Sequence, residues 1–202
     1  MNALLEPDPP KLGLRERKKA RTRAAIQEHA LRLFRERGYE ATTVDEIAEA
    51  AEVSPSTFFR YFPTKEDVVL YDALDPVFFE VFTAQPAELT TIGALRAALR
   101  HVFATATPEE LANQNERGAL ILSVPELRMR MLDELLRSGQ LLAEVVAQRA
   151  RRRPDDFAVR TLVGAVVGAG IAAWLGAGGT LAPDSLAPID EAFAQLEAGF
   201  LF

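Results

Sequence analysis

Apolar residues recur at three- and four-residue spacings along nearly all of this 202-residue chain, and no alternation of a length useful for a strand appears, so the pattern predicts an all-α protein. The first ten residues, with three prolines and little periodicity, read as the start of a disordered lead over 1–14. From Arg15 the spacing turns helical, and Ile26, Ala30, Leu33 and Phe34 make one stripe on a helix that Gly38 stops. Three helix starts then fall between Tyr39 and Lys65. Thr43 with Glu46 three positions later is a capping box, opening a short helix with Val44, Ile47, Ala48 and Ala51 inward. Ser54 before Pro55 caps a second short helix after a turn of about three residues. Two short helices across a tight turn predict a helix-turn-helix. Phe58 and Phe62, four apart, belong to its core, which leaves Ser56, Thr57, Phe59, Arg60 and Tyr61 on other faces. Pro63 ends that helix, and Thr64 to Asp67 start the next with Lys65 at its N-terminus, beside N–H groups that suit a phosphate.

Beyond Lys65 prolines punctuate a helical pattern with expected spans near 65–84 (interrupted near Pro76), 91–106, 108–120, 125–150, 155–178 and 187–200. Thr107 with Glu110 and Ser123 with Glu126 have capping-box spacing. The expected organisation is a DNA-binding domain over 15–63 and a second helical domain over 64–202.

Composition narrows the chemistry. At 49% hydrophobic and 26% charged residues the chain is ordinary for a globular protein. It has no cysteine, which removes disulfides, thiolate zinc sites and thiol nucleophiles, and only His29 and His101 offer imidazoles. His29 beside the first stripe reads as a packing or surface residue. No metal, cofactor or catalytic residue is expected: paired acids such as Glu109 with Glu110 and Asp133 with Glu134 show no convergent cleft. Glu6 interrupts the initial apolar run and no basic segment precedes it, so a secretory signal is not expected and the cytoplasm is. The net charge of −6 hides an asymmetry: 12 Lys and Arg face 8 Asp and Glu between Lys11 and Lys65, leaving 11 basic and 21 acidic groups elsewhere. The basic end is the candidate nucleic-acid surface, densest at Arg15, Arg17, Lys18, Lys19, Arg21 and Arg23.

The run from Gly38-Tyr39-Glu40-Ala41-Thr42-Thr43-Val44 to Val53-Ser54-Pro55-Ser56-Thr57-Phe58-Phe59-Arg60-Tyr61-Phe62-Pro63-Thr64-Lys65 resembles the signature of the tetracycline-repressor (TetR) family, over roughly residues 15 to 70. The resemblance implies a three-helix DNA-binding domain and a helical C-terminal domain that binds a ligand and dimerises. It matches Pro55, Ser56, Thr57, Phe59 and Arg60 to positions facing base edges, with Arg60 suited to guanine and Phe59 to a thymine methyl. Thr43, Tyr61 and Lys65 match phosphate contacts, joined by Arg17, Lys18 and Arg21 of the N-terminal extension. Phe59 and Tyr61 depart from the Tyr and His that many relatives carry there. Extra core packing is the alternative for Phe59.

The stretch from Thr161 to Pro183 carries no charge and six glycines, with Gly164 and Gly168 spaced to let helices approach. Its length suits a membrane span as well as a buried interface helix. The resemblance favours the interface, so no membrane is expected, and it assigns Val163, Val167, Gly170, Ile171 and Trp174 to the dimer seam, a dimer that sets two recognition helices roughly 34–36 Å apart on a near-palindromic operator. Phe78, Phe79, Phe82, Phe103, Ile121 and Met129 are candidates to line an apolar ligand pocket, with Arg117 toward an anionic group, although core packing suits each apolar one equally. Arg117 to Leu127 also resembles regulators with an acyl-CoA-like ligand domain. The partners expected are therefore double-stranded DNA, a second copy and a small hydrophobic or acyl-CoA-like inducer that releases a repressor. A DNA-binding protein whose C-terminal domain only dimerises or binds a protein is the alternative.

Overall fold

The computed structural model describes residues 13–180 and 186–199, and among these the regular elements are ten α-helices with no strand. They are α1 (Leu14–Arg37), α2 (Val44–Ala50), α3 (Pro55–Tyr61), α4 (Lys65–Leu70), α5 (Asp75–Ala84), α6 (Thr91–Thr105), α7 (Pro108–Ser123), α8 (Pro125–Ala150), α9 (Phe157–Gly176) and α10 (Leu186–Ala198). The disordered lead expected over 1–14 lies outside the described residues except for Gly13 and Leu14, and Leu14 already belongs to α1. Contacts divide the chain into two compact units, the first ending at Thr64 and the second beginning at Lys65.

In the first unit the stripe on α1 buries Ile26, Ala30, Leu31, Leu33 and Phe34, and Ile47, Ala48, Phe58 and Phe62 complete the core. Gly38 ends α1 at φ +88°, its N–H donating to Phe34 O at 2.9 Å. The buried Thr42 hydroxyl donates to Gly38 O at 2.8 Å, which fixes the entry to α2. The expected capping box is present: Thr43 Oγ1 accepts from Glu46 N–H at 3.3 Å and Glu46 Oε2 accepts from Thr43 N–H at 2.8 Å. These bonds from Thr43, followed by the Arg37 guanidinium at 2.8 Å, hold the Glu46 carboxyl below the usual range. Between α2 and α3, Glu52 adopts a left-handed φ of 53° while Val53 N–H closes the turn onto Ala48 O at 2.9 Å.

The second unit holds α4 to α10. Its core gathers Phe82 of α5, Ala94, Leu95 and Ala98 of α6, Leu142 and Val146 of α8, Val159, Val163 and Val166 of α9, and Ile189 and Phe193 of α10. Phe78 and Phe79 pack against this cluster. Arginines tie the helices at their polar edges. Arg96 of α6 pairs with Asp190 at 3.0 Å and Glu197 at 3.1 Å of α10, and Arg100 joins Asp190 at 2.9 Å. From α8, Arg149 donates to Gln85 O at 3.1 Å and Leu89 O at 2.9 Å, holding the α5–α6 loop.

The interruption expected near Pro76 in the 65–84 span is the break at 71–74 between α4 and α5, while one expected cap differs from the structure. Pro76 sits in the first turn of α5, where a missing N–H costs little. The Ser123 capping box is not formed: α7 continues through Ser123, whose hydroxyl donates to Leu120 O at 3.1 Å, and Val124 occupies the N-cap of α8.

One close approach fixes where α7 meets the end of α9. A Cβ at Gly118 would stand 1.9 Å from Gly179 O, and Gly179 itself has φ +78°. Gly118→Ala is expected to destabilise the protein by roughly 1–3 kcal/mol, because backbone rather than a flexible side chain must yield. Gly170→Ala, where a Cβ meets nothing within 4 Å, is expected to be neutral or to stabilise by up to about 1 kcal/mol through helix propensity. Urea midpoints of the two variants check both signs.

Candidate nucleic-acid interface and ligand cavity

The recognition surface begins with the capping of α3. Ser54 Oγ accepts from Thr57 N–H at 3.1 Å and lies 2.9 Å from both Ser56 Oγ and Thr57 Oγ1, so three hydroxyls cluster at the helix start. Phe58 is fully buried and Phe62 nearly so, which sets the rotation of the helix. Pro55, Ser56, Phe59 and Arg60 are consequently exposed, and Thr57 is half-buried. Phe59 is 51% exposed and meets Phe58 edge-on at 5.5 Å, so the packing alternative for it does not hold. The Arg60 guanidinium stacks 5.4 Å from the Tyr61 ring centroid.

A groove beside α3 is lined by Leu14, Arg15, Glu16, Lys18, Lys19 and Thr22 of α1 with Arg60 and Tyr61. Of the three α1 residues expected at phosphate, Lys18 is in this groove. Arg17 and Arg21 are exposed but lie off it, whereas Arg15 and Lys19 line it. The reason is rotational. Positions 15, 19, 22, 26, 30 and 33 continue one helical face, so the basic residues above the apolar stripe are those that meet α3. Extending the stripe backwards identifies them in the sequence. Arg23, one residue past that face, places its guanidinium 5.9 Å and 5.8 Å from the Tyr61 and Phe62 rings. Thr43 is exposed at the N-cap of α2, and Lys65 opens α4 in the second unit.

The second unit holds a cavity of about 370 Å³ that is open to solvent. Phe103, Ile121, Met131, Leu135, Val166 and Ile171 give it apolar walls, with Ile189 and Phe193 of α10 on another side. Phe103, Ile121 and Arg117 are thus at the cavity as expected. Phe78, Phe79 and Phe82 are not: they pack into the core, where an i, i+4 pairing stacks Phe78 on Phe82 at 6.4 Å. Met129 is not there either, being 75% exposed on the outer side of α8.

Asp72, Gln114 and Arg117 form the polar end. Arg117, 7% exposed, donates from Nε to Val69 O at 2.6 Å and from Nη2 to Leu70 O at 3.1 Å. Its Nη1 reaches Gln114 Oε1 and stands 3.4 Å from Asp72 Oδ2. Arg117 therefore caps the C-terminal carbonyls of α4 from α7. Asp72 Oδ1 accepts from Leu74 N–H at 2.8 Å and from Gln114 Nε2. At the start of α5, burial pushes the Asp75 carboxyl up to about 7; the Asp72 charge adds to this, Arg117 opposes it, and Glu134 adds again.

The residues assigned to a dimer seam divide differently. Gly170, Ile171, Trp174 and Val167 line the cavity, and Val163 belongs to the core. Val163 and Val167 also border a groove on the outer side, between α8 and α9, with Leu136, Gly139, Ala143 and Gly164. Around it α9 exposes Thr161, Gly164, Gly168, Ala172 and Leu175, and α8 exposes Met129, Leu132 and Leu136. Apolar and small residues occupy most sides of α9, so periodicity cannot orient it. By length and composition α9 is long and apolar enough to cross a membrane, yet its inner face here supports core and cavity. Among the described residues no group of three His, Asp or Glu is placed to hold a metal.

The family model for bacterial regulatory proteins of the tetR family matches residues 26–71, and that for the MftR C-terminal domain matches 89–201. The transcriptional regulator TcmR of Streptomyces glaucescens is 38% identical over 161 residues, 75% of this chain and 70% of that protein. FadR of Thermus thermophilus, a TetR-family transcriptional repressor solved with lauroyl-CoA, is 27% identical with a TM-score of 0.53, over 89% of this chain and 95% of its own. SmeT, solved with triclosan, shares the fold at 20% identity with a TM-score of 0.55, over 86% and 90% of the two chains. A capped α3 with an exposed face, a second helical unit that holds a cavity and these matches over both units lead to one conclusion: the chain belongs to the TetR family of DNA-binding transcriptional regulators.

Proposed function

We propose that the protein is a cytoplasmic, homodimeric repressor that binds a near-palindromic operator and is released from it by a small hydrophobic ligand. The observation that carries this reading is the pairing of an exposed α3 face with an apolar cavity of about 370 Å³ in the second unit, a volume within the range of small-molecule sites. A C-terminal domain that only dimerised would need no such space. Repression by a ligand-binding regulator is supported by FadR, a repressor solved with lauroyl-CoA.

On DNA, Arg60 and Phe59 read base edges, with Pro55, Ser56 and Thr57 packed beside them. Thr43, Tyr61, Lys65 and the groove residues Arg15, Lys18 and Lys19 hold phosphates. The second copy seats on the outer α8–α9 face, where Gly139 and Gly164 let backbones approach and exposed leucines supply apolar area. This occupant also explains why α9 leaves glycines outward.

Fluorescence anisotropy on the upstream intergenic region of the protein's own gene, against a scrambled duplex and over a salt series, tests the reading. The native duplex is expected to bind more tightly, and Arg60→Ala to remove most of that preference at a cost of about 1–3 kcal/mol. A folded dimer that binds no genomic fragment contradicts it. In the same assay Arg15→Ala and Lys19→Ala are each expected to weaken both duplexes and to lower the salt slope by about one, whereas Arg17→Ala and Arg21→Ala change it less. Sedimentation of Gly164→Arg is expected to give a folded monomer with weakened operator binding; an unchanged dimer would place the seam elsewhere.

A further inference from the structure

We propose that the cavity selects an apolar molecule whose polar group is a hydrogen-bond donor, best an ammonium, held at Asp72, and that it disfavours an anionic head. This rests on the reading of the cavity as the ligand site and specifies the ligand's chemistry.

An arginine at the end of an apolar cavity suggests an anion, and Arg117 was the residue the sequence offered for one. Its geometry argues otherwise. All three guanidinium nitrogens already have acceptors within the protein: Val69 O, Leu70 O, Gln114 Oε1 and the Asp72 carboxylate. An incoming carboxylate or phosphate would have to draw Arg117 away from the carbonyls that end α4, leaving them unsatisfied in a buried place. Asp72 is the more accessible of the pair, its side chain 25% exposed against 8% for Arg117. An ionised carboxylate accepts about four hydrogen bonds. Asp72 receives two, from Leu74 N–H and Gln114, besides the Arg117 ion pair, and it lines the cavity.

With Asp75 ionised, acid outnumbers base around this end. Arg117 faces Asp72, and Asp75 and Glu134 add acid from α5 and α8, with Glu134 tied to Arg137 at 2.8 Å. The carboxyl pushed up to about 7 at Asp75 reflects this crowding as well as burial. Ionising it as pH rises makes the end more negative. A cation near this end relieves acid–acid repulsion, and an anion increases it.

The chain supplies its own reporter, since Trp174 is its one tryptophan and lines the cavity. Quenching of Trp174 is followed in the full-length protein with decylammonium, decanol, decanoate and decanoyl-CoA, which share an apolar tail and differ in head. The ammonium is expected to bind about tenfold or more tighter than decanoate at pH 8, with decanol between, a conservative figure for charges a few ångströms apart. Its affinity is expected to rise between about pH 6 and 8 as Asp75 ionises, and to stay flat over that range in Asp75→Asn. Asp72→Asn is expected to narrow the gap between the heads; should that variant fold poorly, Asp75→Asn carries the same test. Decanoate or decanoyl-CoA binding as tightly as the ammonium overturns the proposed polarity, and release of operator by those anions would leave the ligand-released repressor standing without it. If no probe alters Trp174 while operator binding persists, the cavity is not the ligand site and both readings of it fail.

Discussion

The second unit depends on one buried guanidinium. Arg117 projects from α7 and satisfies the carbonyls of Val69 and Leu70 at the end of α4, where no further helical N–H is available to them. Without it α4 would have to continue toward α5 or leave those carbonyls unpaired in the interior. The same side chain orients Gln114 and Asp72 and so defines the polar end of the cavity. The helix that follows directly in sequence from the DNA-binding unit is therefore fastened at the point where a ligand would arrive. On the proposed reading, a ligand held at Asp72 joins the hydrogen-bond network that Arg117 shares with the end of α4, and so adjoins that helix.

A second constraint is the composition of α9. Small and apolar side chains surround it, so it serves core, cavity and outer groove at once: Val166 and Ile171 inward, Gly164 and Gly168 outward. Gly118 and Gly179 let the end of α9 close on α7, and α10 is held across by the Arg96 pairs with Asp190 and Glu197. Its one charge, Arg160, lies in the first turn at the edge of the outer groove. The uncharged run from Thr161 that suggests a membrane span serves, in this fold, core and cavity on its inner face.

The first unit was legible almost residue by residue. Thr43 with Glu46, Ser54 with Pro55, Gly38 and the Phe58–Phe62 spacing are local signals whose physics operates within one or two turns, and the structure repeats them. Which basic residues of α1 meet α3 was equally present, in the stripe extended backwards from Ile26, but density of charge at Arg17 and Arg21 drew attention from rotation. The cavity was not legible in this way. Phe78, Phe79 and Phe82 have the same composition as Phe103, and only the packing of α5 on α6 and α8 decides that the first three fill a core and the fourth borders a space. Met129 and Met131, two positions apart on α8, fall on opposite outcomes for the same reason. Arg117 was found, yet its role reverses once its acceptors are seen, since a sequence shows the donor and not the carbonyls that already hold it.

If ligand and operator act on a common two-state element, their affinities are coupled reciprocally. The most direct measurement is the Trp174 titration of decylammonium with and without saturating operator DNA. The account predicts that bound operator weakens the probe by about fivefold or more, equal to the factor by which the probe weakens the operator. The same dissociation constant in both titrations would contradict it, because a cavity whose occupancy is indifferent to DNA cannot control release.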